Sequence, residues 1–197
     1  SLYCAIDSKV ILSDINFNLN SGQSITITGP NGVGKTLLLN TIVGFKSIFK
    51  GKISINKINL SNDPSNRQEH IGYYGHKASI HTGLTVMETI EYWKAYYSSD
   101  ANTSELIKFW DLPNKTVESC SEGQRKRLAL VRLSLMNRNI WILDEPTTNL
   151  DFVGKKKFLE LYTSHLKAGG LSIITSHEPA QFDGSKIINL ERHSGKN

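Results

Sequence analysis

Two stretches of this chain carry side chains suited to phosphate chemistry. Gly29-Pro30-Asn31-Gly32-Val33-Gly34-Lys35-Thr36 sets glycines along a loop that ends in an ammonium and a hydroxyl. Glycines let a backbone curl until successive N–H groups face one centre, which is how a peptide nest holds an anion. Apolar residues at helical spacing follow in KTLLLNTIVGF, so a helix would aim its positive end at the same place. On this reading the whole run holds a nucleotide, Lys35 neutralises the β- and γ-phosphates, and the Thr36 hydroxyl binds Mg²⁺. The second stretch is Ile140-Trp141-Ile142-Leu143-Asp144-Glu145. Four apolar residues make a buried strand, and Asp144 at its carboxyl end is placed to hold Mg²⁺. Glu145, one residue on, has the chemistry of a base that polarises an attacking water. Kinases, GTPases and motors all remain open at this point.

Those groups need a scaffold. SITITG alternates and reads as a strand ending at Gly29, and Gly44 closes the helix that follows. GKISINKINL looks like paired short strands. TVMETIEYWKAYY carries a capping box in Thr85 and Glu88, with Ile90, Trp93 and Tyr97 on one face. NTSELIKFWDL predicts a short helix and EGQRKRLALVRLSLM a long one. FVGKKKFLELYTSHLKAGG is a helix closed by Gly169-Gly170, followed by strands in LSIITS and KIINL. Strands alternating with helices predict a parallel sheet covered on both faces. The expected fold class is α/β, a P-loop NTPase (RecA-like) core with an N-terminal antiparallel β portion. One domain spans 1–197, with a core of about 1–75 and 139–197 and an inserted helical subdomain of about 76–138.

Cys120-Ser121-Glu122-Gly123-Gln124 resembles the signature of ATP-binding-cassette (ABC) ATPases, a short helix and loop before the LDEP phrase. Thr147-Thr148-Asn149-Leu150-Asp151 resembles that family's D-loop, and His177 falls where the family keeps its switch histidine. The resemblance covers nearly the whole chain. It implies ATP hydrolysis with Mg²⁺, catalytic roles for Glu145 and His177, and nucleotide contacts from Asp151. A Ser-Glu-Gly-Gln turn opening a helix also makes a second anion site from its amides and the Ser121 hydroxyl. That site is expected to lie too far along the chain to reach its own glycine loop. The resemblance implies that Ser121, Glu122, Gly123 and Gln124 cap ATP held by a partner, in a head-to-tail homodimer formed in the ATP state.

Aligning LTVMETI places His76 where the family keeps a glutamine that reaches Mg²⁺ and the attacking water. Three further departures stand out. Cys120 replaces a leucine. Glu122 replaces a glycine, and either caps the helix with Ser119 or points at the γ-phosphate. The adenine-stacking aromatic has no clear counterpart, since Ile6 occupies its spacing and Tyr3 lies nearby. SEGQRKRLALVRL, WILDEPTTNLD, GGLSIITSHEP and His76 together resemble the branch of the family that serves haem export in bacterial cytochrome c maturation. This implies a multi-spanning, CcmB-like membrane subunit and a place on the cytoplasmic face of the inner membrane. An ABC subunit for another substrate, or a soluble ABC ATPase outside transport, is the alternative. EYWKAYY is mostly core by pattern, and part of it is a candidate groove for the membrane subunit's coupling helix.

Composition narrows the classes. With 39% hydrophobic and 21% charged residues the chain is neither disordered nor a membrane span. The net charge of +5 is mild, and Arg125-Lys126-Arg127 and Lys155-Lys156-Lys157 read as solvated helix faces, so no nucleic acid is expected. Cys4 and Cys120 form no CxxC pair, and no secretory signal is expected at the start. His70, His76 and His81 are too irregularly spaced for a zinc or haem cluster.

Overall fold

The computed structural model describes residues 1–75 and 80–194. The chain opens with an antiparallel hairpin, β1 (Leu2–Ile6) and β2 (Lys9–Ile15), closed by Asp7 and Ser8 at positive φ. The central sheet has five strands: β3 (Ser24–Thr28), β6 (Ile71–Tyr74), β7 (Ile140–Asp144), β8 (Leu171–Thr175) and β9 (Lys186–Asn189). Their order is β6-β7-β8-β3-β9 and every pair is parallel. Between β3 and β6 lie β4 (Ser54–Ile55) and β5 (Ile58–Asn59), the paired short strands expected of GKISINKINL.

Among the described residues six α-helices complete the fold: α1 (Lys35–Val43), α2 (Pro64–His70), α3 (Val86–Tyr97), α4 (Thr103–Trp110), α5 (Glu122–Leu135) and α6 (Phe152–Lys167). A parallel sheet must bury both faces, and this one does. Ile25, Ile27, Ile142 and Ile173 pack with Leu38, Leu39 and Ile42 of α1 and with the hairpin residues Leu2, Cys4 and Leu12. Trp141, Leu143 and Ile174 point the other way, into a cluster with Leu128, Leu130 and Val131 of α5, Phe158 and Tyr162 of α6, and Ile90 and Trp93 of α3. Alternate residues of β7 therefore belong to two different cores, and the strand ends with Asp144 between them.

α3 begins with the expected capping box, Thr85 accepting from the Glu88 amide while Glu88 accepts from Thr85. α2 was not foreseen. Its seven residues are almost all polar, yet Asp63 caps it and Pro64 opens it. It buries Arg67, which donates to the carbonyls of Thr41 (2.8 Å) and Ile42 (3.4 Å) at the end of α1. Those carbonyls have no partners within their own helix, so Arg67 closes α1 from outside.

Candidate functional site

The glycine loop connects β3 to α1 and needs its glycines. Gly29, Gly32 and Gly34 have φ of 143°, 80° and 110°, positive values that side chains resist. At Gly34 a Cβ would also stand 3.2 Å from Leu12, so the loop presses on the N-terminal hairpin. Gly34 caps α1 without a side-chain hydrogen bond, leaving the first amides of the helix for an anion. The hydrogen bonds and ion pairs of the loop, Gly29 to Thr36, involve no atom of Ser121–Gln124 among the described residues.

Lys35 is buried and donates to the Gly29 carbonyl at 2.8 Å. Its Nζ also lies 3.6 Å from Glu145 Oε1 and 3.5 Å from His177 Nε2. Glu145 Oε1 and His177 Nε2 are 2.9 Å apart. An ammonium, a carboxylate and an imidazole from three separated stretches thus meet at the carboxyl edge of the sheet. Beside them Thr36 donates to Asp144 Oδ2 at 2.8 Å. A hydroxyl and a carboxylate facing each other form an all-oxygen donor set, the kind Mg²⁺ selects. Thr148 donates to Glu145 Oε2 at 3.2 Å. Glu145 itself has φ 49°, a left-handed backbone at a residue with a Cβ, of the sort that collects at functional sites.

Tyr73 lies against the same corner from β6. Burial, and then the negative charge of Asp144, push its phenol up to about 12, so it is a neutral donor, here to Asn40 Oδ1 at 3.3 Å. His76, expected next to these groups, lies outside the described residues.

The signature stretch is built differently. Ser121 caps α5, accepting from the Gln124 amide at 3.2 Å while Gln124 Oε1 accepts from the Ser121 amide at 3.0 Å. This capping box corrects one expectation: Glu122 does not cap with Ser119. Ser119 bonds Thr116 instead. Glu122 is exposed and lies 4.0 Å from Lys126, one turn along its own helix. Gly123 lies close under Asp151, since a Cβ there would stand 3.2 Å from Asp151 Oδ2.

Asp151 caps α6 through the Gly154 amide at 2.8 Å. Its other oxygen meets Arg127 at 3.4 Å. Arg127 was passed over in the sequence as part of a solvated basic run. It is buried, and its Nη1 donates to the Trp110 and Asp111 carbonyls, both at 2.8 Å. Lys126 donates to the Thr148 carbonyl at 2.7 Å. The first turns of α5 are therefore tied to the loop that carries Thr148 and Asp151. The two candidates for adenine separate as well: Tyr3 sits under Lys50 Nζ at 5.3 Å, while Ile6 is exposed at the hairpin tip.

A glycine loop between strand and helix, a strand ending in Asp-Glu beside it, and an all-parallel sheet define a P-loop nucleoside-triphosphatase. A family model described as ABC transporter matches residues 12–148. The chain is 33% identical over 201 residues to the cytochrome c biogenesis ATP-binding export protein CcmA of Histophilus somni, covering 98% of the chain and 91% of that protein. It is 32% identical over 198 residues to CcmA of Escherichia coli K12, covering 96% and 92%. A solved ABC transporter ATP-binding protein from Pyrococcus furiosus matches with a TM-score of 0.85 and 26% identity, over 98% of this chain and 96% of that one. An ATP-binding cassette solved as a post-hydrolysis dimer with ADP and Pi shares the fold, with a TM-score of 0.77, 22% identity and coverage of 95% and 90%. The chain belongs to the ABC transporter family, as an ATP-binding and ATP-hydrolysing cassette homologous to CcmA. No helix among the described residues is long and apolar enough to cross a membrane.

Proposed function

We propose that this cassette hydrolyses ATP to drive haem export in c-type cytochrome biogenesis, as the partner of a multi-spanning, CcmB-like subunit on the cytoplasmic face of a bacterial inner membrane. The observation that carries the reading is the meeting of Lys35, Glu145 and His177 within 3.6 Å, in a chain alike to CcmA over almost its whole length. Residues 29–36 cradle the phosphates, and Lys35 exchanges its carboxylate partner for the γ-phosphate when ATP binds. Thr36 and Asp144 hold Mg²⁺, which supplies positive charge to the phosphate oxygens. Glu145 accepts the proton of the attacking water as the bond between the β-phosphate oxygen and the γ-phosphorus breaks, giving ADP and phosphate. His177, half exposed beside Glu145, hydrogen-bonds the γ-phosphate. His76 faces the attacking water in this reading. Ser121, Glu122, Gly123 and Gln124, with Asp151 behind them, close over ATP held by the other copy of a head-to-tail dimer. The division of labour is a core of about 1–75 and 139–197 that holds the phosphates, and a helical part of about 76–138 that carries the signature.

The test is a Lys35→Ala chain expressed in place of the natural one. Purified, it should lose nucleotide binding, since the ammonium that bonds the loop at the Gly29 carbonyl is gone. In cells it should abolish holocytochrome c while general protein export continues. Normal c-type cytochromes in that strain would assign the cassette to another substrate and leave the family unaffected.

A further inference from the structure

Thr175 is the last residue of β8, a position that reads from sequence as one more buried strand residue. The sheet register makes it the direct neighbour of Asp144, the last residue of β7. Its hydroxyl is fully buried and touches both halves of the Asp-Glu pair: it lies 2.7 Å from Asp144 Oδ1 and 2.9 Å from the Glu145 amide nitrogen. The direction of this relay follows from chemistry alone. A peptide N–H only donates, so the hydroxyl accepts from Glu145 and its own proton goes to Asp144.

Both carboxylate oxygens of Asp144 are thereby fixed, Oδ1 by Thr175 and Oδ2 by Thr36 at 2.8 Å. The peptide that turns Glu145 into its left-handed conformation at φ 49° is fixed by the same hydroxyl. From that conformation the Glu145 carboxylate reaches Lys35 and His177. We propose that Thr175 is a positioning residue for hydrolysis, whose hydroxyl sets the Asp144 carboxylate and the Glu145 backbone in one fixed relation. The proposal rests on the roles given above to Asp144 and Glu145. Valine at 175 has the shape and β-branching of threonine and leaves the site without that link. A base displaced by a fraction of an ångström to one ångström loses roughly 10- to 100-fold in rate. Nucleotide affinity depends on the glycine loop and stays.

The experiment compares the purified chain with Thr175→Val, Thr175→Ser and Glu145→Gln, reading steady-state ATPase rate against ATP and against Mg²⁺, binding of a fluorescent ATP analogue, and thermal unfolding. Thr175→Val should lower kcat roughly 10- to 100-fold with KM and analogue affinity within about threefold of wild type. Its half-saturating Mg²⁺ concentration should rise, because Asp144 is freed to rotate. Thr175→Ser, which keeps the hydroxyl, should restore turnover to within about threefold. Should Thr175→Val fail to fold, Thr175→Cys, a weak donor of serine's shape, should lose turnover that Thr175→Ser keeps. A folded Thr175→Val protein at wild-type kcat overturns the proposal, and so does a loss that serine does not rescue. Glu145→Gln separates the levels: if it turns over normally, the assignment of the base has failed, whereas an inactive Glu145→Gln beside an active Thr175→Val condemns the relay alone.

Discussion

The glycine-loop corner and the signature corner both offer helix N-termini to anions, yet their side chains are committed in opposite ways. At the first, Lys35, Thr36, Asp144, Glu145 and His177 come from three separate stretches and bond one another, mostly out of solvent. At the second, the Ser121 and Gln124 side chains each accept from the other's amide, Glu122 turns back on its own helix, and Ser121 and Glu122 are exposed. A turn whose side chains are satisfied within itself presents a finished surface, and Arg127 and Lys126 tie that surface to the Thr148–Asp151 loop. In the proposed dimer the reactive groups and the cap are pieces of one site supplied by two copies.

The largest effect should come from Glu145→Gln. With the base gone and the phosphate contacts kept, turnover should fall by on the order of 100-fold or more, while ATP binding persists and holds the chain as a dimer in size-exclusion chromatography. A Glu145→Gln protein with wild-type turnover would break the idea that the buried corner holds the chemistry.

Ser121→Arg should come next. It blocks the exposed turn with a side chain that is not an N-cap, so α5 should lose about 1 kcal/mol of stability, readable in urea unfolding. Turnover should drop by about tenfold or more, because in the proposed dimer the cap acts in the transition state of the other chain's ATP. Binding of a fluorescent ATP analogue to the monomer should not change, since among the described residues no hydrogen bond or ion pair joins the signature to the glycine loop. A matching loss of monomer affinity would merge the two corners into one.

The smallest effect sharpens the scaffold beneath them. His165 of α6 stacks on Trp141 of β7 with ring centroids 3.7 Å apart and planes 5° apart, and its Nε2 bonds the Leu171 carbonyl at 3.2 Å. Burial holds its pKa below the ordinary histidine value, against the raising effect of the Leu171 and Asn139 carbonyls. The unfolded chain then binds the proton more readily, so this contribution to stability is complete above pH of about 6.5 and declines as pH falls below it. His165→Phe should lose less stability than wild type on going from pH of about 7 to about 5.5 in paired urea titrations. Equal losses would show that the stacked ring does not titrate.

Most of the phosphate corner was legible in the sequence because its chemistry is written in residue type and spacing. Gly29–Thr36 needs its glycines and its lysine for reasons that do not depend on the rest of the fold, and Asp144 ends an apolar run whose burial follows from its length. β3, β4, β5, β7, β8 and β9 and all the described α-helices but α2 were readable for similar reasons of period and capping. What was missed depends on tertiary partners. Arg127 sits in a run of basic residues, and only the approach of Trp110, Asp111 and Asp151 reveals that it is buried. α2 has no apolar period because its one buried residue is an arginine that closes another helix. Thr175 acts on a neighbour that only the sheet register supplies. Capping by Glu122 with Ser119, one of its two expected roles, fell because Ser121 is the N-cap and Gln124 stands three residues on to complete the box.

The most direct test of two pieces in two chains mixes Lys35→Ala with Ser121→Arg, each impaired in turnover alone. In a head-to-tail pair, one site of the mixed dimer joins the intact glycine loop of the Ser121→Arg chain to the intact signature of the Lys35→Ala chain. ATPase activity of a 1:1 mixture should therefore rise well above that of either variant. A mixture no more active than the mean of the two separate proteins would contradict a site shared between chains.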